Sequence, residues 1–481
     1  MSEVETSSKP TTPLQAHLAR VIEMLHRHRV VEELTHRQSG ERQDVVDDLV
    51  QRQNRAELQR EIDALHPADI AHILEALPPA DRLNVWHLVK SDRDGEILLE
   101  VSDSVRESLL ADMDAPEILA AAEQLDADEV ADLAEDLPED VLQELMQRMD
   151  VSEREQLRSA MSYDEDRVGA IMDFDMVTIR EDISLEVVLR YLRRLEELPE
   201  QTDKLFVVNH DNVLTGVLPL QRLLVNDPAR QVSAVMAMDA NTFRPDEDVF
   251  DTAQAFERYD LVSAPVVDAE GHLIGRVTID AMVDVIREES DAEVLGRVGL
   301  REGEDIFASV WKSVRNRWTW LAINLVTAFV ASRVIGVFED SIEKLVALAA
   351  LMPIVAGIGG NAGNQTTTMI VRALALGQVS PGSAKRLLRK EVGVAVLNGL
   401  IWGGVIGLVA WLLYGSPALG AVMTAAMTLN LLLAALMGVI IPMTLMRFDR
   451  DPAMGSSVMI TALTDSGGFF IFLGLATLFL V

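Results

Sequence analysis

The chain has no cysteine in its 481 residues. Disulfides, thiolate metal sites and thiol redox chemistry are therefore excluded. No Gly-x-x-x-x-Gly-Lys phosphate loop occurs either, which removes support for ATP hydrolysis. The first residues, up to about Pro13, are polar and carry no apolar stretch, so no signal peptide is expected. Histidine runs out early, since all nine lie before Gly275. Charge is scarce at the other end: residues 311–481 hold seven acids and twelve bases, a net of +5. The preceding 310 residues hold the other 69 acids and 30 bases, a net of −39. Such a surface releases no counterions from phosphates, so nucleic acid is excluded as a partner. It is also repelled by an anionic leaflet, and what it attracts is divalent cations.

Residues 1–52 read as a tail followed by a helix over 14–36, with His26, His28 and His36 on it. Without carboxylates or thiols at ligand spacing, those histidines read as a solvated face. Residues 53–163 are helical throughout, with Leu77-Pro78 and Leu137-Pro138 sixty residues apart. Short helices that stop at Leu-Pro or start at an Asp cap predict an acidic α-solenoid, which offers extended faces to partners. The acids Asp126, Asp128, Glu129, Asp132, Glu135 and Asp136 crowd one stretch of it.

Over 164–290 the texture changes to alternating strand and helix, and a second repeat appears. Ala170-Ile-Met matches Ala234-Val-Met at an offset of 64, and Leu205-Phe-Val-Val matches Ala264-Pro-Val-Val at an offset of 59. The double match resembles a tandem pair of CBS domains, an α/β module. Such pairs often bind adenine nucleotides through a Thr-x-x-Asp. Here Thr278-Ile-Asp280-Ala281 and Pro219-Leu-Gln-Arg222 lack that spacing, so nucleotide binding by the CBS pair has no such support. Asp284, Glu288, Glu289 and Asp291 follow on the outgoing helix. Like charges one turn apart destabilise a helix unless a cation or a basic partner sits there. The helix is expected to continue as a connecting helix over 291–317, through the basic, aromatic Trp311–Trp318 run that suits a bilayer entry.

Residues 318–481 contain five apolar segments long enough to span a bilayer: about 318–338, 345–371, 391–414, 419–446 and 453–481. Bases concentrate in the connections after the second and fourth, which predicts a cytoplasmic N-terminus and an outward C-terminus. An odd number of spans argues against an inverted repeat, so a pore on a two-fold axis between subunits is the natural arrangement. The second span is odd in composition, with four glycines among seven residues beside Asn361, Asn364 and Gln365. Irregular backbone is expected there, lining water or buried in protein, with similar breaks at Pro442 and at Gly467-Gly468. Asp465 is the sole acid after Pro452. A carboxylate at that depth costs roughly 2.5–3.5 kcal/mol on insertion scales and marks an ion pathway.

Gly359-Gly-Asn-Ala-Gly-Asn-Gln365, Asp451-Pro-Ala453, Thr461-Ala-Leu-Thr-Asp465 and His66-Pro-Ala-Asp69 together resemble the MgtE family of magnesium channels. With the CBS pair and five spans, the resemblance covers nearly the whole chain. It implies a multidomain homodimeric membrane protein with an acidic helical N-domain, a CBS pair, a plug helix and a central pore, and no enzyme. It further implies that Asp465 meets hydrated Mg2+, with Asn361, Asn364, Thr461 and Asp451 near the ion path. Asp280, Asp284, Glu288 and Asp291, with N-domain acids such as Asp128 and Asp132, would bind regulatory cytosolic Mg2+ and hold the pore shut. Ala292 stands where many relatives carry an acid.

Two rival readings remain at this point. One is a membrane-anchored CBS scaffold sensing nucleotide, which would not need Asp465. The other is an importer of Co2+ or Mn2+, against which stands the lack of imidazole or thiol ligands in the spans.

Overall fold

The computed structural model describes residues 13–35, 53, 55–195, 197–300, 305–375, 378, 384–448, 450 and 455–481. Two compact units emerge, one formed by Met1–Glu289 with Asp305–Ala308, the other by Ser290–Glu304 with Ser309–Val481.

The first unit begins with α1 (Pro13–Thr35) and α2 (residues 55–63). Short helices follow: α3 (Pro67–Glu75), α4 (Pro79–Trp86), α5 (Asp94–Glu100), α6 (Asp103–Leu110), α7 (Ala115–Ala122), α8 (Ala127–Leu133), α9 (Glu139–Arg148) and α10 (Val151–Ala160). Their starts are written in the sequence. Asp114 with Glu117, Asp126 with Glu129 and Asp150 with Glu153 form reciprocal capping boxes. Each satisfies backbone N–H groups that a helix start leaves bare. The helix ends are closed by arginines. Arg82 Nε donates to the Leu74 carbonyl at 2.9 Å and Nη2 to Leu77, and Arg106 does the same to Leu98 and Val101. The spacing is identical, so a 24-residue step underlies the solenoid and was not visible in the sixty-residue repeat. Ile70, Leu74, Ile97, Leu109, Val130 and Leu157 belong to one continuous core.

The CBS pair then forms two matching halves. In the first, β1 (Thr178–Arg180) runs parallel to β2 (Lys204–Val208), which pairs antiparallel with β3 (Leu214–Pro219); α11 (Leu185–Leu192) and α12 (Leu220–Val225) flank them. In the second, α13 (Val249–Tyr259) precedes the antiparallel pair β4 (Ser263–Val267) and β5 (Leu273–Thr278). The repeat extends to irregularities: the register slips at Val207/Val208 and again at Val266/Val267, 59 residues on. Asn209 Oδ1 accepts from the amides of Asp211 and Val213, as Asp268 Oδ1 does from those of Glu270 and His272. Each half has its own apolar core.

Helix α14 (Ile279–Arg297), whose residues fall in both units, does not run on through Trp311–Trp318 as the sequence suggested. It ends at Arg297, and α15 begins only at Val310, capped by the Ser309 side chain (Val310–Val337). Gly299 adopts the left-handed conformation at φ +73°, which favours glycine and ends a helix.

The second unit continues with a short α16 (Glu339–Lys344) and four long helices: α17 (Ala347–Ala375), α18 (Ala384–Tyr414), α19 (Pro417–Arg447) and α20 (Ser456–Phe479). Among the described residues, α15, α19, α20 and residues 385–414 of α18 are long and apolar enough to cross a membrane. The remaining long helix, α17, is not among these; it has 29 residues and carries the Gly-Asn run. That run is regular helix, not the irregular backbone expected. Pro353 and Pro442 lie inside unbroken helices, as do Gly467 and Gly468. The glycines serve close packing instead. A Cβ on Gly407 would sit 2.5 Å from the Gly420 carbonyl oxygen, and one on Gly420 would sit 2.6 Å from that of Gly407, so α18 and α19 touch backbone to backbone.

Candidate cation sites

Asp465 is half-buried on α20, on the shoulder of a packed face made by Ile460, Thr464 and Gly468. Its hydroxyl neighbours are engaged elsewhere. Thr464 Oγ1 donates to the Ile460 carbonyl at 2.8 Å, and Thr461 Oγ1 to that of Ser457 at 2.9 Å. Neither threonine therefore donates its hydroxyl to the carboxylate. Helix α17 lies against this face through its glycines: a Cβ on Gly363 would meet Ile460 Cγ2 at 2.5 Å, and one on Gly360 would meet Thr464 Oγ1 at 3.7 Å. Asn361 is exposed and Asn364 half-buried on the flank of that glycine face, while Thr461 is exposed on α20. Helices α17 and α20 therefore pack together with the polar groups of both on their flanks. Asp451 lies outside the described residues.

Two polar residues of the membrane unit escaped the sequence reading. Glu391 on α18 is only 4% exposed; its Oε2 accepts from Thr366 Oγ1 of α17 at 3.3 Å, and Oε1 lies 3.2 Å from Lys390 Nζ. Asn430 on α19 is fully buried and donates from Nδ2 to the Val355 carbonyl of α17 at 2.9 Å. Glu391 stood among loop bases and Asn430 inside an apolar run, so neither had a local signal.

In the first unit the acids of α8 meet those of the CBS half. Burial pushes the Asp128 carboxyl up to about 7, and the negative charge of Asp173 adds to the effect. Burial does the same to Asp132, also up to about 7; Arg106 opposes it, and Glu129, Glu288 and Asp284 reinforce it. Asp132 keeps water contact, so Asp128 is the more strongly enclosed of the two. Asp284 is raised by its surroundings and by Asp280 against the pull of Arg287. Beside this cluster an open cleft of about 500 Å³ is lined by Glu123, Asp126, Asp128, Glu153 and Asp175, with Arg148 as the cation among them. Carboxylates crowded in this way are held apart from their preferred charged state, and a hard divalent cation relieves that. Asp280, Asp284 and Glu288 are exposed along α14, and Asp291 is exposed further on in the same helix.

A third group, Asp268, Glu270 and His272, brings ligand atoms within 4.8 Å of one another. The turn accounts for it, because Asp268 accepts from the backbone of both partners and from the His272 ring at 2.8 Å.

Three family models match the chain: a divalent cation transporter model at residues 352–475, the MgtE intracellular N domain at 65–166, and CBS domains at 168–226 and 232–288. The magnesium transporter MgtE of Thermus thermophilus is 34% identical over 69% of this chain and 74% of its own length. That of Bacillus subtilis is 29% identical over 87% of this chain and 93% of its own. A solved structure described as the cytosolic domain of the Mg2+ channel MgtE in complex with ATP is 30% identical, covering 50% of this chain and 98% of that one, with a TM-score of 0.44. By its membrane helices, its N-domain, its CBS pair and this likeness along its length, the chain belongs to the MgtE family of magnesium transporters.

Proposed function

We propose that two copies of this chain form a channel that admits Mg2+ down its electrochemical gradient, with Asp465 of each copy facing the ion across the two-fold axis. The observation that carries the reading is the half-buried Asp465 carboxylate, to which neither Thr461 nor Thr464 donates, on a helix packed against the glycines of α17. Magnesium prefers octahedral oxygen and sheds water reluctantly, so one or two carboxylates acting through retained waters suit it. Asn361, Asn364 and Thr461 complete the hydrogen bonds to that hydration shell. The membrane potential supplies about 4.6 kcal/mol per 100 mV for a divalent ion, so no pump is required.

The regulatory half of the proposal rests on acid facing acid. Asp128 and Asp132 stand against Asp173, Asp284 and Glu288, and Mg2+ bound among them favours a compact, closed state. Asp280 and Asp291 extend the acidic face of α14. Moving an equilibrium from about 1:99 to 99:1 takes about 5.5 kcal/mol of differential binding, so several weak sites act together. The protein sits in the cell membrane, crossing it five times, with the acidic half in the cytoplasm and the C-terminus outside.

The test is Mg2+ uptake into proteoliposomes by wild type, Asp465→Asn and Asp465→Ala, with Mn2+ and Co2+ as competing cargo. The channel reading predicts uptake by wild type, loss in both variants and a preference for Mg2+. Equal uptake by all three proteins contradicts it.

A further inference from the structure

Asn430 of α19 lies against both α17 and α20. It is fully buried, yet its carboxamide is only half used: Nδ2 bonds Val355, and Oδ1 has no hydrogen-bond partner. An orphaned carbonyl in the interior is costly, and an apolar side chain of the same size avoids that cost. The surrounding backbone is shaped to the carboxamide. A Cβ on Gly359 of α17 would sit 2.2 Å from Asn430 Nδ2, and one on Gly468 of α20 would sit 2.6 Å from it. For both glycines the three nearest atoms all belong to Asn430. One side chain of α19 is therefore wedged between the backbones of the two helices that carry the proposed pore groups. Gly468 is three residues beyond Asp465, and Gly359 is two residues before Asn361. A displacement at the wedge moves both sets of ligands relative to each other.

We propose that Asn430 is a positioning residue for cation conduction, fixing the separation and rotation of α17 against α20 so that Asp465 and the asparagines of α17 address the same hydrated ion. This rests on the reading of Asp465 as a pore carboxylate. The hydrogen bond to Val355 sets the rotation of α17; the carboxamide thickness sets the gap. Neither function involves contact with the ion.

The experiment uses the full chain in proteoliposomes and compares wild type with Asn430→Ala, Gly359→Ala, Gly468→Ala and the two pairings of a glycine variant with Asn430→Ala. Two quantities are read: the Mg2+ to Mn2+ uptake ratio, which does not depend on how much protein folds, and the melting temperature in detergent. Gly359→Ala and Gly468→Ala each cut Mg2+ uptake at least tenfold, because the added methyl has no space. Adding Asn430→Ala restores uptake to the level of Asn430→Ala alone, since it removes the atoms that collide. Asn430→Ala by itself lowers the Mg2+ to Mn2+ ratio severalfold. An unchanged ratio in Asn430→Ala, or pairings no better than the single glycine variants, overturns the inference. Asp465→Ala is run in parallel. If it carries Mg2+ like wild type, the pore reading falls and this inference with it; if it is silent and rescue is absent, only the wedge fails.

Discussion

Arg276 pairs with a half-buried Asp173. Its Nε and Nη2 each lie 2.7 Å from Asp173 Oδ2, and the two residues also exchange backbone hydrogen bonds at 2.9 Å in both directions. The Arg276 side chain is 4% exposed and that of Asp173 19%. The pair matters beyond its own stability because Asp173 is the charge that Asp128 faces. Position and electrostatics of the proposed regulatory site are therefore set by an arginine on β5.

Removing one partner of a buried pair leaves the other charge uncompensated, at roughly 3–5 kcal/mol. Arg276→Gln is expected to lower the unfolding free energy of the soluble half by about that amount, and Arg276→Gln with Asp173→Asn by clearly less. Chemical denaturation followed by tryptophan and far-UV signals distinguishes the two. Equal losses in the single and double variants contradict the pairing.

The acids of α8 predict a pH dependence with a definite sign. Asp128 and Asp132 are raised to about 7, so the folded protein binds more protons than the unfolded chain between about pH 4 and that value. Their contribution to stability in a chelator falls as pH rises through this window and levels off above it. Mg2+ needs the deprotonated groups, so the melting-temperature gain on adding Mg2+ grows from about pH 5.5 to about pH 8. Asp128→Asn with Asp132→Asn removes most of that dependence. A gain that does not vary with pH in wild type contradicts the assignment.

Gly407 and Gly420 face each other's carbonyl oxygens, at 2.5 and 2.6 Å from where a Cβ would stand. Backbone cannot rotate away as a side chain can. Gly407→Ala or Gly420→Ala is expected to cost roughly 1–3 kcal/mol through overpacking, whereas Gly404→Ala, with nothing within 4 Å, is near neutral. Melting temperatures in one detergent give the ranking.

Thr366 and Glu391 tie α17 to α18 at 3.3 Å inside the membrane unit. Glu391→Gln keeps an acceptor for Thr366, while Glu391→Ala leaves the hydroxyl and a void, at roughly 1–3 kcal/mol. Gln is therefore expected to retain most of the thermal stability that Ala loses. The reverse order contradicts the contact.

The order of domains was legible because it is carried by turn and cap chemistry that acts locally. Asn209 and Asp268 make the same turn 59 residues apart, and Asp126 and Asp150 are Asp caps of the kind the helical pattern called for. Glycine was harder to read, since one residue both ends helices and lets them touch. Gly299 terminates α14, where a continuous helix was expected; Gly359 and Gly363 do the opposite, sitting in unbroken helix where a break was expected. Asp465 stood out in the sequence because it is a lone acid among apolar residues. Asn430 and Glu391 did not, because their significance lies in which helices surround them.

The most direct test of the account is Mg2+ flux through the wild-type protein in proteoliposomes as internal Mg2+ is raised, beside Asp128→Asn/Asp132→Asn and Asp465→Ala. The account predicts flux that closes as internal Mg2+ rises in wild type, flux that persists to higher internal Mg2+ in the double variant, and none in Asp465→Ala. Wild-type flux indifferent to internal Mg2+, or flux undiminished by Asp465→Ala, contradicts it.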